Sequence, residues 1–445
     1  MKTIRLGKTE LKLYQRIFWR IVPFLFLCYV VAFLDRVNIG FAKLQMAGQL
    51  GFSDAVYGFG AGIFFIGYFM FEVPSNLILE RVGARMWIAR IMVTWGIIST
   101  CMMRVETEFW FYTLRFLLGV AEAGFFPGVI LYLTYWFPAA QRCRMNALFL
   151  TAVAISNVIG APLSGSIMQF LDGVNAWQGW QWLFLLEGLP SVMVGVLVLV
   201  LLDDGPHQAK WLDDSERALV LNHLAEDEAG KAVRGRRQRL TEVFRDGRVW
   251  ALSFCYLCMM VGFYGVNFWM PTIIQEFGID QNNYLQVGLL SMVPWGVAAI
   301  TMVLVGSHSD RSGERFWHAT LPMLAAAAGL LGLALVGHAA WPSMVCLTLV
   351  TTGLLSAIVV FWSIPAAFLS GTAAAAGIAW INSVGNLGGF FGPELIGRIR
   401  TATDSTAMAF FVITGLLLLG AMVPLLIKKH SAAVHRRVIP NSSLV

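Results

Sequence analysis

The stretch ERVGAR at residues 80–85 returns as DRSGER at residues 310–315, with an acidic residue, two arginines and a glycine at matching positions. Each copy follows a long apolar run, and each places a glycine between two arginines. A second match at nearly the same offset sets Gly-Ala-Pro at 160–162 against Gly-Pro at 392–393. The chain therefore repeats one plan twice, which is typical of transporters built from two related halves.

Composition places most of the chain in a bilayer. Of its 445 residues, 58% are hydrophobic and 13% are charged, whereas soluble domains carry about 25% charged residues. The net charge of +6 sits in short segments between apolar runs, which argues against nucleic-acid binding. Cys255 and Cys258 lie in an apolar stretch, which favours two small core residues over a redox or metal pair.

Hydropathy predicts an all-α membrane protein with twelve transmembrane helices in two pseudo-symmetric six-helix bundles. Residues 1–202 form the first bundle, residues 203–248 a cytoplasmic linker loop, and residues 249–445 the second bundle with a tail. The predicted spans are 18–40, 55–79, 86–103, 109–133, 145–170, 181–202, 249–275, 286–306, 317–337, 342–367, 375–397 and 406–427. The repeat predicts a binding site at mid-depth between the two halves.

The distribution of lysine and arginine predicts the orientation. Six basic residues lie among the first 20, and the linker and the C-terminal tail are also basic. The opposite side carries four: Lys43, Arg104, Arg398 and Arg400. The positive-inside rule then places both termini in the cytoplasm of a cell bounded by the inner (plasma) membrane.

Charged residues inside spans are functional hypotheses by default, because burying them in a bilayer is costly. Seven stand out: Asp35, Arg36, Glu72, Arg115, Glu122, Glu187 and Glu394. Arg115 and Glu122 are seven residues apart and share a helix face, and Asp35 adjoins Arg36. Such pairs suit a proton-coupled anion site; the alternative is two internal salt bridges. We interpret Glu72 and Glu187 as structural and assign Glu394 no role.

The second half offers mainly neutral polar groups. Asn382 and Asn386 share one helix face, and Trp362 precedes them by about 20 residues. Asparagine supplies donors and acceptors for hydroxyl groups, and tryptophan a face for an aromatic ring. The alternative is that these asparagines bind neighbouring helices to each other.

Four further motifs are specific to one family. They are FLDRVNIGFA at 33–42, FFIGY at 64–68, EVPSN at 72–76 and RFLLGVAEAGFFPG at 115–128. With the paired loops and the 6+6 layout, they resemble the anion:cation symporter family of the major facilitator superfamily. That family includes permeases for tartrate, phthalate, hydroxyphenylacetate and galactonate.

The resemblance implies roles for four of the charged residues. In such symporters, the positions that match Asp35 and Glu122 carry protons. The positions that match Arg36 and Arg115 engage or gate the anion.

The resemblance also implies substrate contacts. Tyr68 and Asn382 match substrate-contacting positions of galactonate-type carriers, and we group Asn386 and Trp362 with them. An ordinary packed aromatic is the alternative for Tyr68. Phe33 replaces a tyrosine of those carriers, which removes a hydroxyl group and weakens the case for a sugar acid.

The two repeated loops are interpreted as gating elements. An acidic residue there can pair with a loop arginine, cap a helix end and hold one closed state. The predicted gating residues are Glu80, Arg81, Arg85, Asp310, Arg311 and Arg315.

These features predict a proton-coupled symporter that imports a small organic acid anion by alternating access. The anion is a hydroxy-dicarboxylate such as tartrate or an aromatic carboxylate, protons are the coupling ion, and neither a cofactor nor a metal is expected. The partners are the anion and the lipid bilayer, with no nucleic acid and a monomeric protein. The alternatives are an exporter or antiporter on the same fold, or a membrane-embedded enzyme or sensor. The seven histidines are scattered, and neither a nucleotide loop nor a nucleophile elbow is found.

Overall fold

The computed structural model describes residues 8–234, 244–337, 339–369 and 371–438, which contain helices and no strand. Residues 1–7 and 439–445, the ends that the sequence assigns to the cytoplasm, lie outside this description. The chain divides into two compact units. The first comprises Met1–Gly235, Met270–Gln275 and Ile279–Met292, and the second Arg236–Trp269, Glu276–Gly278 and Val293–Val445. The predicted bundle limits at residues 202 and 249 stay a prediction.

Nine α-helices are described before residue 235. They are α1 (Lys8–Val37), α2 (Ile39–Leu50), α3 (Asp54–Val82), α4 (Ala84–Cys101), α5 (Glu108–Glu122), α6 (Phe125–Thr134), α7 (Ala139–Phe170), α8 (Gly179–Leu201) and α9 (Asp214–Arg234).

Eight more helices are described after residue 243. They are α10 (Gly247–Gln275), α11 (Tyr284–Ser312), α12 (Phe316–Val336), α13 (Ala340–Phe361), α14 (Ser363–Phe368), α15 (Gly371–Asn386), α16 (Gly388–Thr403) and α17 (Ala407–Val438).

Eleven helical segments in the described ranges are long and apolar enough to cross a membrane. The predicted span at 375–397 falls on α15 and α16, each of 16 residues. They meet at Leu387, whose backbone (φ −60°, ψ −21°) stays in the helical region. The all-α fold is confirmed, and these helices agree with twelve crossings.

Two predicted spans break next to the charged residues of interest. Asn38 separates α1 from α2, just after Asp35 and Arg36. Gly124, at φ +84°, separates α5 from α6 just after Glu122. That left-handed conformation favours glycine, and a Cβ at Gly124 would also lie 2.5 Å from Oγ of Ser75. The charged residues therefore lie at the ends of rigid segments.

Helices α3 and α5 pack backbone to backbone through glycines. A Cβ at Gly119 would lie 1.9 Å from the carbonyl oxygen of Phe64, and one at Gly67 would lie 2.5 Å from that of Phe116. Small residues allow this close approach in membrane helices. The contact brings the side chains of α5 within reach of main-chain groups of α3.

The linker contains the helix α9. Asp213 accepts a hydrogen bond from the backbone N–H of Glu216 at 2.8 Å and another from the Ser215 hydroxyl at 2.7 Å. The backbone bond and the hydroxyl together lower the pKa of Asp213, as expected for a carboxylate at a helix start. Glu216 forms an ion pair with Arg16, which joins α9 to α1.

Candidate functional site

Arg36 and Glu122 form a buried ion pair that joins α1 to α5. Their side chains are 10% and 3% exposed. A buried guanidinium–carboxylate pair offsets much of the desolvation cost of both charges, whereas removing one partner leaves the other charge uncompensated. The sequence left internal salt bridges open as an alternative to an anion site, and this ion pair is compatible with either interpretation.

Three aromatic rings surround the guanidinium of Arg36. Its Cζ lies 5.5 Å from the ring centre of Phe33, 5.4 Å from that of Phe64 and 5.6 Å from that of Tyr68. Distances under about 6 Å give cation–π attraction. The structure thus brings Tyr68 to Arg36, and Phe33 packs on the same cation.

Arg115 is fully buried and binds the backbone of α3. Its Nε donates to the carbonyl oxygen of Gly60 at 3.2 Å, and its Nη2 donates to that of Ala61 at 3.1 Å. Its Cζ lies 5.2 Å from the ring centre of Phe64, so this ring packs against both arginines. Arg115 therefore fixes α5 against α3 in this conformation.

Asp35 is buried and accepts hydrogen bonds from three neutral donors. Trp95 Nε1 and Ser99 Oγ of α4 each donate at 2.9 Å, and Ser191 Oγ of α8 donates as well. Sequence reasoning missed these partners. The one available signal was the spacing of Trp95 and Ser99, which puts both on one face of α4.

In the second unit, Tyr256 lies between two of the predicted substrate-binding elements. Its ring is edge-to-face with Trp362 at 4.9 Å. A Cβ at Gly385 would lie 1.9 Å from Cδ1 of Tyr256, so α15 packs on that ring between Asn382 and Asn386. The two asparagines are partly exposed. Tyr256 lies in an apolar stretch and gave no signal in the sequence.

The first repeated loop is organised by an acidic residue outside the motif. The backbone N–H of Arg85 donates to Asp204 Oδ1 at 3.0 Å, and its guanidinium donates to the carbonyl oxygen of Leu199. Glu80 and Arg81 are exposed. Asp204 was not predicted, because it lies about 120 residues away in the chain.

The second repeated loop forms an ion pair within its motif. Asp310 binds Arg315, which also donates to Ser309 Oγ at 3.2 Å, and Arg311 is exposed. The pairing is the one predicted, and its gating role stays a prediction.

Glu314, in the same loop, accepts hydrogen bonds from Lys428 Nζ at 3.0 Å and from the backbone N–H of Trp317 at 2.8 Å. Burial alone would raise the pKa of Glu314. The hydrogen bonds from Lys428, Trp317 and His318 outweigh burial, so the pKa of Glu314 lies below its usual range.

The three carboxyls not assigned to transport occupy different settings. Glu72 is buried in α3, and Glu394 forms an ion pair with Arg398 one turn away. Glu187 is buried in α8 and accepts a hydrogen bond from Ser164 Oγ at 2.7 Å. Within the described ranges, histidine, cysteine and acidic residues form no cluster of three or more that could hold a metal.

Comparison with known proteins identifies relatives along nearly the whole chain. The family model described as Major Facilitator Superfamily matches residues 25–393. A protein of Agrobacterium vitis whose name proposes it as a tartrate transporter is 48% identical over 422 residues, which is 95% of this chain and 92% of that protein. A quinolone resistance transporter of Acinetobacter baumannii is 40% identical over 407 residues, or 91% of this chain and 92% of its own.

Among solved structures, a bacterial homologue of the human lysosomal transporter Spinster superposes with a TM-score of 0.74 at 16% identity. The match covers 94% of this chain and 97% of that one. It shows a shared fold.

Proposed function

Because the chain belongs to the major facilitator superfamily, we propose that it is a proton-coupled symporter that imports a small organic acid anion by alternating access. The relative named for tartrate favours a hydroxy-dicarboxylate as the substrate, with an aromatic carboxylate as the second class. The protein acts in the inner (plasma) membrane as a monomer, with both termini in the cytoplasm.

The observation that carries this proposal is the ion pair between Arg36 and Glu122. The guanidinium fork of Arg36 already holds a carboxylate in a buried, aromatic setting. A substrate carboxylate offers the same chemical group, and a guanidinium fork can bind it through two parallel hydrogen bonds. When Glu122 takes up a proton, its ion pair with Arg36 weakens, and the guanidinium can bind the carboxylate of the anion instead. Proton binding and anion binding are thereby coupled through one cation.

Asp35 supplies the second proton site. It lies beside Arg36 in the chain, yet its carboxyl is held by the neutral donors Trp95, Ser99 and Ser191. A buried carboxylate without a nearby cation resists enclosure away from water. Closure around substrate therefore favours the protonated acid, and opening to the cytoplasm releases the proton.

The test is uptake of labelled tartrate into proteoliposomes with an inward proton gradient, set against counterflow without one. The wild-type protein accumulates substrate when the gradient is present. Asp35→Asn and Glu122→Gln, which cannot take up the proton, lose accumulation and retain counterflow. If both variants concentrate substrate as well as the wild type does, the coupling assignment is wrong.

Export is the second candidate function, favoured by the relative named for quinolone resistance. The two directions require opposite responses to the same gradient. Import requires that an inward proton gradient raises substrate content in right-side-out vesicles, whereas an antiporter would expel substrate under that gradient. The same vesicles loaded with norfloxacin distinguish the two.

A further inference from the structure

Glu187 is a buried carboxyl that the proposed mechanism does not use. It lies eight residues into the membrane-spanning helix α8 and is 3% exposed. Its Oε1 accepts a hydrogen bond from Ser164 of α7, and its Oε2 is buried without a hydrogen-bond partner among the described residues. No cation in those ranges forms an ion pair with it. A structural carboxylate at this depth would need more compensation than one hydroxyl supplies.

Glu187 lies next to Asp35 through two adjacent contacts between α1 and α8. Ser191, one turn after Glu187, donates to Asp35. Asn38, three residues after Asp35, lies beside the carboxyl of Glu187 without reaching hydrogen-bond geometry. Residues one turn apart on a helix have Cβ atoms roughly 5–6 Å apart. Because Ser191 contacts Asp35 directly and lies one turn from Glu187, the two carboxyls lie close enough to interact electrostatically.

Apart from Asp35, the described groups named here around Glu187 are neutral. Ser164 faces it from α7, Asn38 from the junction of α1 and α2, and Asp35 from α1. On the α4 side, the neighbouring Gly188 packs against Thr100. Among the described residues, Asp35 is the charged group that these contacts bring near Glu187, and two neighbouring carboxylates repel each other. Such a pair titrates as a unit rather than as two independent acids.

We propose that Glu187 is a third proton-binding residue of the transport cycle and forms a coupled carboxyl pair with Asp35. The proposal rests on the proposed symport function. While the pair is enclosed it keeps at least one proton, and ionisation of one member makes the other harder to ionise. The proton moves between carboxyl oxygens and water, and no bond other than O–H forms or breaks.

The test compares Glu187→Gln with the wild type in proteoliposomes. Glutamine keeps an acceptor for Ser164 but removes the negative charge, so Asp35 loses a repulsive neighbour and needs more acid to be protonated. We expect the pH at which gradient-driven tartrate uptake is half-maximal to fall by about one unit, a tenfold change in proton concentration. The pair exchanges one proton per cycle, so the number of protons taken up per substrate should stay as in the wild type, and counterflow should persist. A wild-type pH profile in Glu187→Gln would overturn the proposal.

A second variant decides the case in which Glu187→Gln also loses counterflow. Ser164→Ala keeps the acid and removes its hydrogen bond, so a displaced pH profile with counterflow intact supports a titrating Glu187. An unchanged profile in Ser164→Ala then overturns it. If the wild type itself shows no proton coupling while it exchanges substrate, the symport proposal fails, which is a different outcome from either of these.

Discussion

Arg36 binds one carboxylate inside the protein and is proposed to bind another from the substrate. The two carboxylates compete for the same guanidinium. Its fork-shaped guanidinium pairs with Glu122 while the rings of Phe33, Phe64 and Tyr68 shield it. The low local dielectric constant strengthens the ion pair of Arg36 with either carboxylate. Exchange of one carboxylate for another then costs little, whereas leaving Arg36 without any partner costs several kcal/mol.

Replacing the arginines with lysine tests this at the residue scale. Lysine keeps the charge and loses the fork, so Arg36→Lys should weaken tartrate binding at least tenfold, or about 1.4 kcal/mol. Arg115→Lys should also weaken binding, because lysine cannot bind the carbonyls of Gly60 and Ala61 together as Arg115 does. Binding to the detergent-purified protein is measured by isothermal titration calorimetry.

Arg90→Lys is the matched control for these two variants. Arg90 also lies within a membrane span, where it stacks on Trp87 at 3.8 Å. Arg90 is outside the cluster around Arg36. The affinity of the Arg90→Lys variant for tartrate should therefore match that of the wild-type protein. If Arg36→Lys and Arg115→Lys both bind as well as Arg90→Lys, neither arginine engages the substrate.

The sequence predicted the charged residues of the site but few of their partners. Asp35, Arg36, Arg115 and Glu122 stand out because charges are rare and costly at bilayer depth. Serine and tryptophan carry no such cost, so Ser191 and Trp95 looked like any other residue of an apolar span. Which faces of distant helices meet is a property of tertiary packing, and local sequence does not encode it.

Helix α5 holds Arg115 and Glu122 in place because glycines let it lie directly on α3. Gly119→Ala should therefore lower the melting temperature of the purified protein, since the added methyl group would overlap the carbonyl of Phe64. Overpacking of this kind typically costs about 1–3 kcal/mol. Gly48→Ala in α2 is the control, because nothing lies within 4 Å of its Cβ position. Equal melting temperatures for the two variants would contradict the packing argument.

The loop after α11 is predicted to stabilise one conformational state through Asp310 and Arg315. Asp310→Ala removes that ion pair and should change the balance of inward- and outward-open molecules more than the intrinsic substrate affinity. Labelling of single cysteines from each side of the membrane reports that balance. Asp214→Ala is the control, since it removes an exposed ion pair with Arg217 on the linker helix. The gating role is refuted if labelling changes equally in both variants.

Helix breaks were only partly predictable. Glycine is a common site of helix interruption, and Gly124 in the fourth predicted span separates α5 from α6. The break at Asn38 has no glycine or proline beside it in the sequence between Asp35 and Ile39. Its backbone stays near helical values, so the interruption is a small deviation that propensity alone does not reveal.

At the scale of the whole molecule, the buried charged side chains among the described residues all belong to one of the two units. The buried acids Asp35, Glu122 and Glu187 and the arginines Arg36 and Arg115 all belong to the first unit. The second unit contributes the neutral groups predicted to contact substrate, among them Trp362 and Asn382. The repeat therefore duplicates the fold and the loops, whereas the residues proposed to bind protons all lie in one half. We expect the first unit to set coupling and the second to set substrate selectivity.

If the proton-binding residues carry a fixed number of protons, the net charge moved in each transport cycle depends on the charge of the substrate. If Asp35 and Glu122 each carry one proton, a dianion such as tartrate moves with two protons and transfers no net charge. A monoanion such as nicotinate, moved by the same two protons, transfers one positive charge inward. The membrane potential then contributes about 2.3 kcal/mol per 100 mV, or about 50-fold in accumulation.

The measurement is uptake of each anion into proteoliposomes whose potential is set with valinomycin and a potassium gradient, at a fixed pH gradient. A potential of 100 mV, negative inside, should raise nicotinate accumulation and leave tartrate accumulation unchanged. Because both anions are measured on one protein preparation, each serves as the control for the other. Tartrate uptake that rises with the potential would require a third proton to move with the dianion. Nicotinate uptake that ignores the potential would require that only one of the two carboxyls carries a proton.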